Sequence, residues 1–371
     1  MTPDVISGAI IAYRLFDIAD TADLTRAQAL WAAKAGGASS SRGRLTTVPA
    51  KAVAFGVPPL VLETEPLRIE LGEDAVSASV SIRLYDFGVV SLALRVPVGP
   101  VSWDEFCRQM NRFDRYLGPA SDTRVWATLL EGLRGVIAPS LLRPTTTTRE
   151  EDYLVGHVQA FSEPLRAQEL PERIDLVALL ADEQRPLSDD ARAELLRRHY
   201  SYYADDLAVL TWDRAFIYEQ QGDCDVMDII EVANAQLLQM RYYDELLDAE
   251  LPRMYDAIGC ARRGLNLFRA RRFAGLARRF HGLVAEVTEL TERVDNTLQV
   301  TEDVYLARIY AEALDLFRVH PVNDAINRKL TIIRETYTAL YDEASASRSE
   351  LLEILIAVMI VVEVVLAVVR H

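Results

Sequence analysis

Lysine is nearly absent from this chain: it occurs at positions 34, 51 and 329, so almost all of the 40 basic residues are arginine. Acidic residues number 55, and the formal net charge is −15. That balance argues against general nucleic-acid binding, which needs a positive surface. Cysteine is also sparse. Cys107, Cys224 and Cys260 are widely spaced and odd in number, so they suggest neither a disulfide framework nor a zinc site. Reduced thiols fit a cytosolic face. The five histidines, at 157, 199, 281, 320 and 371, do not cluster.

Catalytic signatures are missing too. There is no phosphate-binding glycine loop ending in Lys-Ser/Thr, no GxGxxG after a strand, no HExxH, no GxSxG and no CxxC pair. The common nucleotide and metalloenzyme classes therefore leave the front of the list, and no cofactor or metal is expected. Triads are spatial, so an enzyme with an uncatalogued site stays open. His157 reads as a core or edge histidine rather than a base. Asp223-Cys224-Asp225 reads as a turn and helix cap. The N-terminus has no basic region and carries Asp4, Asp17 and Asp20, which does not fit a signal peptide.

What is present divides into two textures. At 371 residues, two globular units are expected. In VSASVSIRLY, 76–85, Val76, Ala78, Val80, Ile82 and Leu84 alternate with Ser77, Ser79, Ser81 and Arg83. Period two is the mark of a half-buried strand. LRIEL, 67–71, precedes it across Gly72-Glu73-Asp74, a hairpin. Asp86-Phe87-Gly88 turns into a strand at 89–98, and SGAIIAYRLF, 7–16, reads as another. Ser102-Trp103-Asp104-Glu105 is a capping box. The helix behind it carries Phe106, Met110, Phe113 and Leu117 at helical spacing and stops at Gly118. Segments 153–161 and 206–218 read as later strands, and Ser188 opens a capped helix within 187–199. GGASSSRGR, 36–44, reads as a loop, as does the polar RPTTTTREED ahead of Tyr153. The expectation is an α+β domain over 1–220 with a mixed or antiparallel sheet and helices.

From about residue 224 the period becomes helical. Ile230, Ala233, Leu237, Met240, Leu247, Leu251 and Met254 form one stripe, with Pro252 expected to kink or end it. Leu283, Val287, Leu290 and Val294 form a second. Ile326, Leu330, Ile333, Tyr337 and Leu340 form a third in heptad register. A helical hairpin or bundle over 224–348 is expected, with an inter-subunit coiled coil as the alternative.

Residues 351–369 are apolar apart from Glu353 and Glu363. Nineteen helical residues rise about 28 Å, close to the hydrocarbon thickness of a bilayer. A central carboxylate costs roughly 2.5–3.5 kcal/mol, which some fourteen Leu, Ile and Val outweigh. A single C-terminal transmembrane helix is expected, a tail anchor with the bulk of the chain cytoplasmic. The alternative is a buried core helix or an oligomer seam. Glu363, deep in the run, with Glu353 before it, is the candidate for assembly within the bilayer.

One stretch departs from the acidic background. Between Asp256 and Glu286 there is no acidic residue, while Arg262, Arg263, Arg269, Arg271, Arg272, Arg278 and Arg279 gather with Phe268, Phe273 and Phe280 between them. Such a surface suits anionic lipid headgroups or RNA near the membrane. The plain alternative is a solvated helix face answering acidic neighbours.

The segment 326–365 resembles the end of the "required for meiotic nuclear division" family of single-span membrane proteins. Asn327, Lys329 and Leu330 match its Asn-x-Lys-Leu element, Leu352-Glu353 its Leu-Glu pair, and Val362-Glu363-Val364 its anchor signature. Tyr85-Asp86-Phe87-Gly88-Val89-Val90 is similar to its aromatic-x-Gly-Val strand. Ile354 stands where the family has an aromatic residue, TEDVYLARIY, 301–310, replaces a Trp-Asp element, and the arginine-rich segment has no counterpart. The resemblance implies an N-terminal α/β domain, a helical C-terminal part, one membrane span and no known catalytic activity. Expected partners are the lipid bilayer, further copies of the chain and a protein partner at the membrane, as for a scaffold or adaptor.

Overall fold

The computed structural model describes residues 2–34, 39–43, 45, 53–72, 74–145, 149–181, 185–222, 225–262, 266–300 and 305–369. The chain opens with β1 (Val5–Asp17) and β2 (Ala19–Ala22), then α1 (Leu24–Lys34), β3 (Ser40–Arg42), β4 (Val53–Phe55), β5 (Leu60–Glu63), β6 (Leu67–Leu71), β7 (Asp74–Leu84) and β8 (Val89–Val98). Helices α2 (Trp103–Leu117) and α3 (Val125–Ile137) follow, then β9 (Leu141–Pro144) and β10 (Glu150–Phe161). Three short helices, α4 (Leu170–Arg173), α5 (Leu176–Leu180) and α6 (Asp189–Leu195), lead to β11 (His199–Tyr200), β12 (Leu207–Leu210) and β13 (Arg214–Tyr218). The remainder is α7 (Asp225–Arg262), α8 (Asn266–Asp295), β14 (Leu298–Val300), α9 (Tyr305–Leu316) and α10 (Val319–Val369).

The class is α+β, with a mixed ten-stranded sheet first and a helical region after it. Two compact units emerge: residues 1–239 with 293–320, and residues 240–292 with 321–371. Segment 293–320 thus returns to the sheet unit, whereas the sequence reading places it in a helical domain 224–348. Local periodicity cannot reveal that return. In the structure, Gln236 Nε2 donates to the Val294 carbonyl at 2.7 Å, and Tyr310 OH donates to Gln236 Oε1 at 2.7 Å. Both bonds tie the returning segment to the start of α7.

In the first unit the strand order is β11-β12-β13-β10-β1-β8-β7-β5-β3, with β6 alongside β7. β1 lies between β8 and β10, antiparallel to both, and β10 pairs in parallel with β13. One face holds Ile10, Ala12, Phe16, Val80, Ile82, Leu92 and Leu94, in one core with Trp103, Phe106, Met110, Phe113 and Leu117 of α2. Alternation in β7 puts Arg83 on the opposite face. There Tyr13 and Leu15 of β1 are buried as well, so both faces of the sheet are covered. Residues 229–239 of α7 are buried on every side, which makes this turn-by-turn run a core helix rather than a one-sided amphipathic one.

Several expectations are corrected by pairing. Segment 206–218 is two strands, β12 and β13, joined by a hairpin at Thr211-Trp212-Asp213. The Tyr153 hydroxyl fixes that turn, 2.9 Å from the Thr211 carbonyl and 2.8 Å from that of Arg214. Within 36–44, Ser40–Arg42 pairs with β5, while 36–38 and 44 lie outside the described residues. The Ser102 cap forms, its Oγ accepting from the Glu105 amide at 3.3 Å. The other half of the box does not, because the Glu105 carboxylate turns to Arg108 (2.7 Å) and Gln109 (3.0 Å). Pro252 does not end its helix: α7 runs through it. The bond that proline forfeits belongs to the carbonyl of Asp248, an exposed residue, so water can replace it.

The second unit is helical. The expected stripes are buried at Leu247 and Met254, at Val287 and Leu290, and at Ile326, Leu330, Ile333 and Leu340. Lys329 Nζ meets Asp244 Oδ1 at 2.7 Å and Asp248 Oδ1 at 2.6 Å. Arg279 meets Glu250 at 3.3 Å, and the His281 ring lies edge-on to Tyr337 with centroids 5.3 Å apart.

Candidate membrane-contact segment

α10 continues without a break from Val319 to Val369. Over its distal part Leu355, Ile356, Val358, Met359, Ile360, Val361, Val362 and Val365 are each at least half exposed. Successive helical residues are 100° apart, so 358 to 362 alone cover the whole circumference. Glu353 and Glu363, the two sequence-predicted assembly residues, are exposed on the same segment. The side chains at 351, 352, 354, 364 and 366–369 lie outside the described residues. Taken over the described residues, no helix is long and apolar enough to cross a membrane.

Of the arginine-rich stretch, Arg271, Arg272, Arg278 and Arg279 are exposed on α8. Arg262, Arg263 and Arg269 have side chains outside the described residues, as does Cys224. Phe273 and Phe280 do not face outward with the arginines: they are buried, at 0% and 3% exposure, as are Ala277 and Val284. The reason is a tandem heptad, RRFAGLA at 271–277 and RRFHGLV at 278–284. Seven residues are nearly two helical turns, so the two heptads present like residues on like faces.

Sequence reasoning missed the buried polar centres of the first unit. Arg83 of β7 donates to Glu231 Oε2 and to Asp228 Oδ1 of α7, both at 2.8 Å. Burial raises the Glu231 carboxyl to about 7; the Arg83 charge opposes this and Asp228 adds to it. On the same sheet face, Arg95 lies 3.4 Å from Nδ1 of His157. Burial, then the arginine charge, lowers that imidazole to about 4, so it is neutral at pH 7 and Nδ1 accepts the hydrogen bond. On the opposite face, Arg214 donates to Asn111 (2.6 Å), Asp114 (2.6 Å) and the Leu179 carbonyl (3.0 Å). Arg14 donates to Glu150 and to the Leu117 carbonyl, both at 2.8 Å, and lies over the Trp126 ring. These are tethers between elements. The only sequence signal for the first was polar residues, at 231, 234, 236 and 239, inside an apolar run.

Reactive geometry is sparse among the described residues. No group of three or more His, Cys, Asp or Glu is placed to hold a metal ion. The Cys107 thiol is buried and, by that burial, pushed up to about 12, which leaves it protonated and unreactive.

Fold and surface together define a class: an α+β domain continued by a helical unit that ends in an apolar helix whose described side chains are exposed. The chain belongs to the family described as "Uncharacterized protein MJ0711, N-terminal domain", matched over residues 7–225, the sheet-bearing part. A relative, Uncharacterized protein MJ0711 of Methanocaldococcus jannaschii, is 24% identical over 193 residues, which is 52% of this chain. The match spans 58% of that protein's length. No solved structure matches.

Proposed function

We propose that the protein is a membrane-anchored, non-enzymatic scaffold. Segment 351–369 is the anchor, the helical unit a spacer, and the α+β domain the partner-binding end, held on the cytoplasmic side. One observation carries this reading: the apolar residues from Leu355 to Val362 are exposed around the full circumference of their helix. A helix apolar on every side needs an apolar surround on every side, which a bilayer supplies. A seam between two copies buries one stripe and leaves polar residues opposite; the described run from Leu355 to Val362 has no polar side. The resemblance of 326–365 to a single-span family supports the same reading.

Glu363 is the exception within that surface. We assign it to assembly inside the bilayer, where a carboxyl group is tolerated when it shares hydrogen bonds with a neighbouring copy or partner. Glu363→Leu leaves insertion intact and reduces the oligomer measured in mild detergent. An unchanged oligomer size removes this assignment.

The anchor is tested by alkaline extraction of membranes carrying the full chain or a 1–348 truncation. The reading expects the full chain to stay with the membrane and the truncation to be released. Release of the full chain would instead favour the seam between copies.

A further inference from the structure

We infer that the tandem heptad of α8 is a docking face for anionic lipid headgroups at the point where α10 enters the bilayer; this rests on the anchor reading above. Gln236 meets Val294 and Glu250 meets Arg279, so α7 and α8 run antiparallel. Lys329 meets Asp244 and Asp248, while Tyr337 lies level with His281, which is two residues from Arg279 and so close to Glu250. Moving forward along α10 is therefore moving forward along α7, and backward along α8.

Distances follow from the helical rise. From Tyr337 to Leu351, where the apolar segment begins, is about 21 Å at 1.5 Å per residue. From His281 back to Arg271 is about 15 Å in the same direction. Arg271 and Arg272 thus lie roughly 6 Å short of the apolar segment by the Tyr337 contact and about 15 Å short by the Lys329 contacts, a span that the headgroup layer and an extended arginine together bridge. That is the level of the headgroups if the segment is inserted.

The face is built for close approach. Among the four described arginines only Arg279 has a carboxylate partner, Glu250. Gly275 and Gly282 share the exposed side, and a Cβ at either would meet nothing within 4 Å. Glycine weakens a helix interior, and no packing here demands it. The unpaired guanidinium groups nearest the apolar segment, those of Arg271 and Arg272, are free to turn toward phosphate groups. In a chain of net charge −15, this is where an anionic bilayer is attracted rather than repelled.

The test uses the full chain in vesicles of phosphatidylcholine alone or with phosphatidylglycerol, read by hydrogen exchange over 266–284. Exchange should slow in the anionic vesicles, by about fivefold for each engaged arginine, and the effect should fade in 1 M salt. An Arg271→Gln/Arg272→Gln/Arg278→Gln variant should lose the difference while still resisting alkaline extraction. Equal exchange in both lipids overturns the proposal, as does protection produced only by an added RNA oligonucleotide. Alkaline release of the wild-type chain with protection retained would fail the anchor and keep the headgroup face. Release without protection would fail both.

Discussion

Glu231 accepts a 2.8 Å ion pair from Arg83 with its side chain 4% exposed, and the same guanidinium also serves Asp228. Burial is the main reason that Glu231 holds its proton up to about pH 7; the Arg83 charge opposes this and the neighbouring Asp228 carboxylate adds to it. In the unfolded chain it loses that proton near its ordinary value of 4.5. The folded pKa is the higher of the two. Its contribution to stability is therefore full below about pH 4.5 and is lost as pH rises through 7. We expect this group to cost the first unit roughly 2–3 kcal/mol between pH 5 and 7. Glu231→Gln should flatten that part of the profile in urea unfolding monitored from pH 5 to 8.

Arg214 is the tether whose loss should cost most. Its side chain is 4% exposed, and it gathers Asn111 and Asp114 of α2 with the Leu179 carbonyl of α5. Arg214→Leu leaves those acceptors unserved. A loss of about 3 kcal/mol is expected, read as a lower urea midpoint with an unchanged slope.

Gly88 tolerates no side chain. Its φ is +83°, and a Cβ would stand 1.7 Å from the Ala19 carbonyl oxygen. Gly88→Ala should destabilise by more than about 1 kcal/mol, beyond the ordinary glycine effect. A thermal melt showing an unchanged midpoint would contradict the close packing of the β7–β8 turn against β2.

Lys329 should matter less than its two carboxylate contacts, with Asp244 and Asp248, suggest. Asp248 is 59% exposed and competes with water. Lys329→Met is expected to cost at most about 1 kcal/mol and to become neutral at high salt. Loss of the helical unit on this change, seen by circular dichroism, would mean the bundle depends on the bridge.

Much of the first unit was legible because its signals are local. The alternation of Ser77, Ser79 and Ser81 with Ala78, Val80 and Ile82 marks β7, and Ser102 and Gly118 bracket α2 as caps. The Arg83 cluster was not legible, since its partners lie 145 and 148 residues away. Nor was the full burial of 229–239: the spacing of Ile230, Ala233 and Leu237 reads as a single buried stripe, while the structure also covers the polar sides at Glu231, Asn234, Gln236 and Gln239. The apolar segment 351–369 was legible from length and composition. What composition lacked was the exposure of Leu355 to Val362 around the whole helix, which needs coordinates.

The most direct measurement of the central claim is cysteine accessibility along that helix. Single cysteines would replace residues 355 to 362 in turn, on a full chain carrying Cys224→Ser and Cys260→Ser, reconstituted in vesicles and exposed to a membrane-impermeant maleimide. The account predicts protection at every position, whichever side of the helix it occupies. Protection recurring only every three to four residues would contradict it, because a seam between copies shields one stripe and leaves the rest in water.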